Sequence, residues 1–153
     1  MDLILWRHAE AIDLELVGDD MERTLTSRGE KQAARMAAWL DRQLPDGAKV
    51  LASPAVRTEQ TARALGRKFK THAALAPLAT PEQLLELVQW PDSRQTFLVV
   101  GHQPYLGRTI SQLVGLKEEE CAMRKGSVWW LRNRQRAGLR QTVILTVQAP
   151  EVL

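Results

Sequence analysis

The chain has 153 residues, 44% of them hydrophobic and 25% charged, with a formal net charge of +3 and a single cysteine, Cys121. That length buries a sizeable core without disulfides or metal clips, and the composition excludes a disordered or fibrous class. No apolar run approaches the roughly 20 residues needed to cross a bilayer, so the expectation is one cytoplasmic domain over residues 1–153, with no membrane and no nucleic-acid partner for its mild, scattered basic charge.

In chain order, Leu3 to Trp6 is a continuous apolar run, read as a strand buried on both faces, and it ends in Arg7-His8. Leu14 to Arg23 is polar and contains Gly18, which suggests a mobile loop near that strand's carboxyl end. A helix follows in "TSRGEKQAARMAAWLDRQL", capped by Thr26 or Ser27 with a capping box between Ser27 and Glu30, and stopped by Pro45 and Gly47. Val50 to Ala52 reads as a second strand and Phe97 to Val100 as another. Helical runs are expected over Pro54–Lys70, Pro81–Trp90 and Pro104–Val114. "SVWWLR" and "LRQTVILTVQ" read as a hairpin or pair of edge strands joined across Asn133 to Gly138. The basic run Arg132 to Arg136 is then a solvated turn or, alternatively, a docking patch for an acidic partner. Alternating strands and helices predict an α/β fold, a three-layer α/β/α sandwich around a mostly parallel sheet, with function at the carboxyl ends of the strands.

Three of those strand ends carry polar groups of one chemical character. Arg7 and His8 close the first strand, "SPAVRTEQTA" puts Arg57 just inside a helix after the second, and "FLVVGHQPYLG" puts His102 directly after another. A parallel sheet gathers these ends on one edge, so two guanidinium forks and two imidazoles converge. Guanidinium forks match phosphoryl oxygens in bidentate fashion, and Pro104 starts a helix whose amides can point at the same place. Gly101 lets backbone approach closely. A phosphate is the natural ligand, and a neutral histidine among those groups can act as a nucleophile in phosphoryl transfer.

"WRHAE" resembles the Arg-His-Gly signature of the histidine phosphatase superfamily, with its phosphoglycerate mutase-like fold. "LTSRGEKQA", "LASPAVRTEQTA" and "VVGHQPYLG" continue the likeness in order, and together they resemble the small SixA-type phosphohistidine phosphatases. The resemblance implies that His8 accepts the phosphoryl group, that Arg7 and Arg57 clamp its oxygens, and that His102 donates a hydrogen bond to them. Arg23 matches an arginine seen in SixA-like sequences. Ala9 stands in place of the signature's glycine, which puts one more methyl near the phosphate. The implied substrate is a phosphohistidine-bearing protein, such as a phosphotransfer domain or phosphocarrier, and the implied chemistry needs no metal or cofactor.

Members acting on oxygen esters carry a carboxylate that protonates the leaving group. Here Leu78 stands where SixA-like sequences can have a glutamate, and Glu82 is the nearest carboxylate, hence a candidate proton donor. Two rival functions stay open: a phosphatase of small phosphomonoesters, and a phosphoprotein-binding module that keeps the clamp without turnover. His72 has no motif around it and reads as a structural or exposed residue. His8 with Glu10 spells H-x-E, but the P-C-x-x-C of zinc deaminases is missing, which argues against a metal site.

Overall fold

The computed structural model describes residues 1–153. Strands β1 (Asp2–Arg7), β2 (Lys49–Ala52), β3 (Lys70–Thr71), β4 (Phe97–Gly101), β5 (Val128–Arg136) and β6 (Leu139–Gln148) form one sheet in the order β3-β2-β4-β1-β5-β6. The first four are parallel to their neighbours, and β5 and β6 continue the sheet antiparallel. Helices α1 (Ser27–Gln43), α2 (Val56–Arg63), α3 (Pro81–Leu87) and α4 (Tyr105–Val114) cover its two faces.

Side chains of a strand alternate between faces, so a strand covered on both sides is apolar throughout. On one face Ile4 and Trp6 pack with Val50, Leu98 and Val100 against Met36, Ala37 and Leu40 of α1 and Ala62 of α2. On the other, Leu3 and Leu5 pack with Val99 and Leu131 against Leu84 of α3 and Tyr105, Leu106 and Ile110 of α4. All four β1 residues from Leu3 to Trp6 are fully buried. At about 1.5–3 kcal/mol for each large apolar side chain, those two layers dominate the stability of the sheet and hold its carboxyl edge in place. The three-layer sandwich with a mostly parallel sheet is thus the observed architecture.

Several local expectations are corrected. The second helix covers only Val56–Arg63, because Gly66 takes a φ of +73° and turns the chain into β3, which pairs with β2. The third helix stops at Leu87, ahead of Trp90, and Gln89 has a positive φ of 57°. Thr26 is the cap of α1: its hydroxyl accepts from the Gly29 amide at 2.9 Å, so Ser27 is already helical and forms no box with Glu30. A reciprocal box occurs instead at Thr80 and Gln83, at the start of α3. The hairpin turn is Ala137-Gly138, both at positive φ, which leaves Arg132 to Arg136 inside β5 instead of in a turn.

Candidate active site

The chain after β1 is held by side chains. The His8 amide continues the parallel ladder to the Gly101 carbonyl at 3.1 Å. Beyond it, the Ala9 amide donates to Thr61 Oγ1 of α2 at 3.1 Å and the Glu10 amide donates to Gln32 Oε1 of α1 at 3.0 Å. Thr26 in turn donates its amide to the Glu10 carbonyl at 3.0 Å. Gly29 permits this approach, since a methyl group there would run into the Glu10 carbonyl oxygen. The backbone amides from Arg7 to Glu10 therefore all find fixed acceptors, and His8 sits on a rigid turn.

His8 is 7% exposed. Its Nδ1 lies 2.7 Å from the Ala9 carbonyl oxygen, an acceptor only, so Nδ1 carries the proton and Nε2 keeps its lone pair. Arg57 Nε donates toward that lone pair at 3.3 Å. Burial pushes the ring down to about 3; the hydrogen bond to the Ala9 carbonyl, next in size, pulls it upward, and the charges of Arg57, Arg7 and Arg23 add to the downward push. The imidazole is neutral at physiological pH, and its unprotonated Nε2 is held by the Arg57 Nε hydrogen bond.

Arg57, the second residue of α2, is 4% exposed. Besides its contact with His8, its Nη1 donates to the Asp20 carbonyl at 2.6 Å and its Nη2 to Asp20 Oδ2 at 3.0 Å. Arg7 donates through Nη1 to the Met123 carbonyl at 2.6 Å, while its buried Nε has no partner. His102, 2% exposed, stands with its ring centre 5.3 Å from that of His8. Its Nε2 is 2.7 Å from Ser53 Oγ, and Ser53 Oγ already accepts from the Ala55 amide at 3.3 Å. Nε2 is the one acceptor that the Ser53 hydroxyl hydrogen meets; with Ser53 donating, the ring proton sits on Nδ1, a buried atom without a partner. Burial, with help from His8 and Arg57, pushes His102 down to about 2. Arg23 joins the group through Asp20, with Nη1 at 3.2 Å from Oδ1, and is anchored by Nε on the Ile12 carbonyl at 2.7 Å.

Arg7, His8, Arg57 and His102 are thus brought together, with Arg23 at the margin. Glu82 is not joined to them by any hydrogen bond or ion pair; it faces Gln112 of α4 at 3.4 Å. Leu78 is 96% exposed. His72 caps a short turn by accepting from the Ala74 amide at 3.1 Å, a structural role. The Ala9 methyl is buried with Leu25 and Ala33 in a small apolar cluster. Of the amides opening α4, Leu106 donates to the His102 carbonyl and Gly107 to Gln103 Oε1, so these two are taken up inside the turn. Gly101 serves a packing purpose, since a methyl group there would strike the Tyr105 hydroxyl, which donates to the Leu75 carbonyl at 2.6 Å.

The sequence reading overlooked Asp20, Ser53, Thr61 and Gln32. Thr61 lies one helical turn after Arg57, and Asp20 three residues before Arg23, the only local signals either offered. What results is a group of arginines matched by one carboxylate, around a neutral histidine whose Nε2 lone pair faces the Arg57 guanidinium. Unpaired Arg7 Nε and His102 Nδ1 are donors that lack an acceptor, which suits a tetrahedral oxyanion.

Residues 3–89 match the profile of the Histidine phosphatase superfamily (branch 1). The chain is 30% identical over 121 residues to phosphohistidine phosphatase SixA of Escherichia coli, covering 74% of each sequence. It is 29% identical over 143 residues to an uncharacterized protein of Picosynechococcus, with 87% of this chain and 86% of that one covered. Among solved structures, the protein histidine phosphatase SixA complexed with tungstate superposes with a TM-score of 0.81 over 99% of both chains, at 22% identity, a likeness of fold.

Proposed function

This chain belongs to the histidine phosphatase superfamily, and on that premise we propose that it hydrolyses phosphohistidine carried on a protein, through a phosphoryl intermediate on His8. The family match and the SixA relatives support a phosphatase. Phosphohistidine as its substrate is the finer reading, supported by the SixA relative and by the surroundings of His8.

The observation that carries the mechanism is the hydrogen bonding of His8: Nδ1–H is tied to the Ala9 carbonyl, so Nε2 presents its lone pair beside the Arg57 guanidinium. In the first step Nε2 attacks phosphorus in line; the new N–P bond forms as the bond to the leaving imidazole breaks. That imidazole takes up a proton from solvent near neutral pH, so it departs without a dedicated acid. Arg57, Arg7 through Nε and His102 through Nδ1–H donate to the three oxygens in transit, where charge accumulates. Water then attacks the phosphohistidine, loses a proton to bulk solvent and releases inorganic phosphate, which returns His8 to its neutral form.

A phosphotransfer domain or phosphocarrier in the cytoplasm fits as partner, and no helix is long and apolar enough to cross a membrane. Rapid quenching with a ³²P-labelled phosphohistidine protein tests the reading. Acid-labile, alkali-stable label on the enzyme that disappears in His8→Ala supports it; binding of the phosphoprotein without label reduces the protein to a non-catalytic module. In parallel, kcat/KM is compared for the phosphohistidine protein and an alkyl phosphate. A general acid is worth about 10²- to 10⁴-fold to an alkoxide leaving group. With Glu82 turned to Gln112, Glu82→Gln leaves phosphohistidine hydrolysis nearly unchanged and the P–N substrate is preferred. A better alkyl ester selects the small-phosphomonoester reading.

A further inference from the structure

The loop between β1 and α1 places one anion on the clamp. Asp20 sits in a single 3-10 turn, Asp20–Glu22, whose cap, Asp19, accepts from the Met21 amide at 3.0 Å. Its two carboxylate oxygens are divided between the arginines: Oδ2 to Arg57 Nη2 at 3.0 Å and Oδ1 to Arg23 Nη1 at 3.2 Å. The arginines are the fixed partners. The Arg57 side chain is 5% exposed and tied to His8, and Arg23 is held by the Ile12 carbonyl, whereas the Asp20 side chain is 42% exposed. Burial pulls the Asp20 carboxyl upward, but the hydrogen bonds and charges of Arg23 and Arg57 outweigh it and hold the group ionised. A carboxylate bridging two guanidinium forks offers them the acceptor geometry of two phosphoryl oxygens.

We propose that Asp20 is the resident counter-ion of the phosphoryl clamp, and that it sets the clamp's affinity for oxyanions: an entering phosphoryl group takes Arg57 Nη2 and Arg23 Nη1 donors from the carboxylate or shares them with it. This inference rests on the phosphoryl-binding reading of Arg57. Its consequence shows at product release. Inorganic phosphate has no protein attached to hold it in place, so a fixed negative charge beside the clamp speeds its departure and weakens product inhibition. The same charge weakens the clamp's hold on any phosphoryl group by the same factor, so it lowers retention of the product without changing the ratio of the two affinities. Asp20 thereby sets how long free phosphate stays in the site without touching the transferred group.

The test is Asp20→Asn in the full chain, which keeps the size and one carbonyl acceptor while removing the charge, with Asp20→Glu as the charge-retaining control. Binding of inorganic phosphate and of vanadate is measured by calorimetry, and inhibition by phosphate is measured during turnover of a phosphohistidine protein. The expected result is oxyanion binding tightened about tenfold or more in Asp20→Asn, with phosphate inhibition strengthened to match, and near-native values in Asp20→Glu. Unchanged or weaker oxyanion binding in Asp20→Asn overturns the proposal, because loss of mere structural support for Arg57 can only weaken the site. Thermal melting confirms that the variants are folded. Arg57→Ala separates the two readings: if wild type binds no oxyanion, or binds equally well without Arg57, the phosphoryl clamp itself fails; if Arg57→Ala abolishes binding while Asp20→Asn leaves it unmoved, only the role of Asp20 falls.

Discussion

Two arginine clusters in this molecule look alike on paper and differ in what surrounds them. Arg132, in β5, meets Asp2 in a closed bidentate pair, Nε to Oδ1 at 2.6 Å and Nη2 to Oδ2 at 2.8 Å, with its side chain 46% exposed. Arg134 and Arg136, further along the strand, point into water. At the other edge of the sheet, Arg57 is almost fully buried against a histidine, and Arg7 retains a buried N–H with no acceptor. A guanidinium whose fork is already filled by a partner at the surface is a solvated strut. One held in the interior with a donor left over, as Arg7 has at Nε, is suited to hold an anion, because desolvation makes each of its hydrogen bonds to an anion stronger.

The sharpest way to break that contrast is His8→Ala. Turnover is expected to fall by at least about 10⁴-fold while the melting temperature barely moves, since His8 lies at a polar strand end and leaves no apolar void. Substantial residual activity, measured as phosphate release, removes the basis for treating this edge as the reactive one.

Next in size is Arg57→Ala, expected to lower kcat/KM by about 10²- to 10³-fold, or roughly 2.7–4 kcal/mol of transition-state stabilisation. Arg57→Lys recovers little, because an ammonium group cannot reach His8 Nε2 and Asp20 together. Steady-state kinetics on both variants decide whether shape matters as well as charge.

A third test uses pH. His8 and His102 are neutral in the folded chain, held down to about 3 and about 2, but titrate near the ordinary 6.5 once unfolded. The unfolded chain therefore binds more protons below pH 6.5, so stability is complete above that value and is lost progressively as pH falls toward 3. Activity follows the folded-state values: kcat/KM is expected to stay within about threefold between pH 7 and 5, where an ordinary histidine nucleophile would lose most of its neutral form. A pH–rate profile with an acid limb near 6.5 contradicts the buried, neutral His8.

The smallest effect belongs to the strand cluster. Arg132→Ala is expected to cost less than about 1 kcal/mol of stability in urea unfolding and to leave kcat/KM within twofold of wild type. A tenfold loss on a protein substrate, with small substrates unaffected, makes that face a docking patch for an acidic partner.

Much of this protein was legible along the chain. The apolar runs of β1 and β4, the stop of α1 and the extent of α4 are local patterns, and so is the placing of Arg7-His8, Arg57 and His102 at strand ends. Hydrophobic period and chain direction are enough to specify them. The length of α2 was misjudged because Gly66 turns the chain before the helical pattern ends, and the hairpin turn because Arg132–Arg136 is polar but extended. Only the tertiary structure decided the partners of the site residues. Arg57 meets Asp20 across 37 positions, His102 meets Ser53 across 49, and Arg7 meets the Met123 carbonyl across 116. No periodicity encodes such pairs; sheet order and the packing of α1 and α2 on one face bring them within 3 Å or so of each other, and hydrogen bonding is felt only at that range.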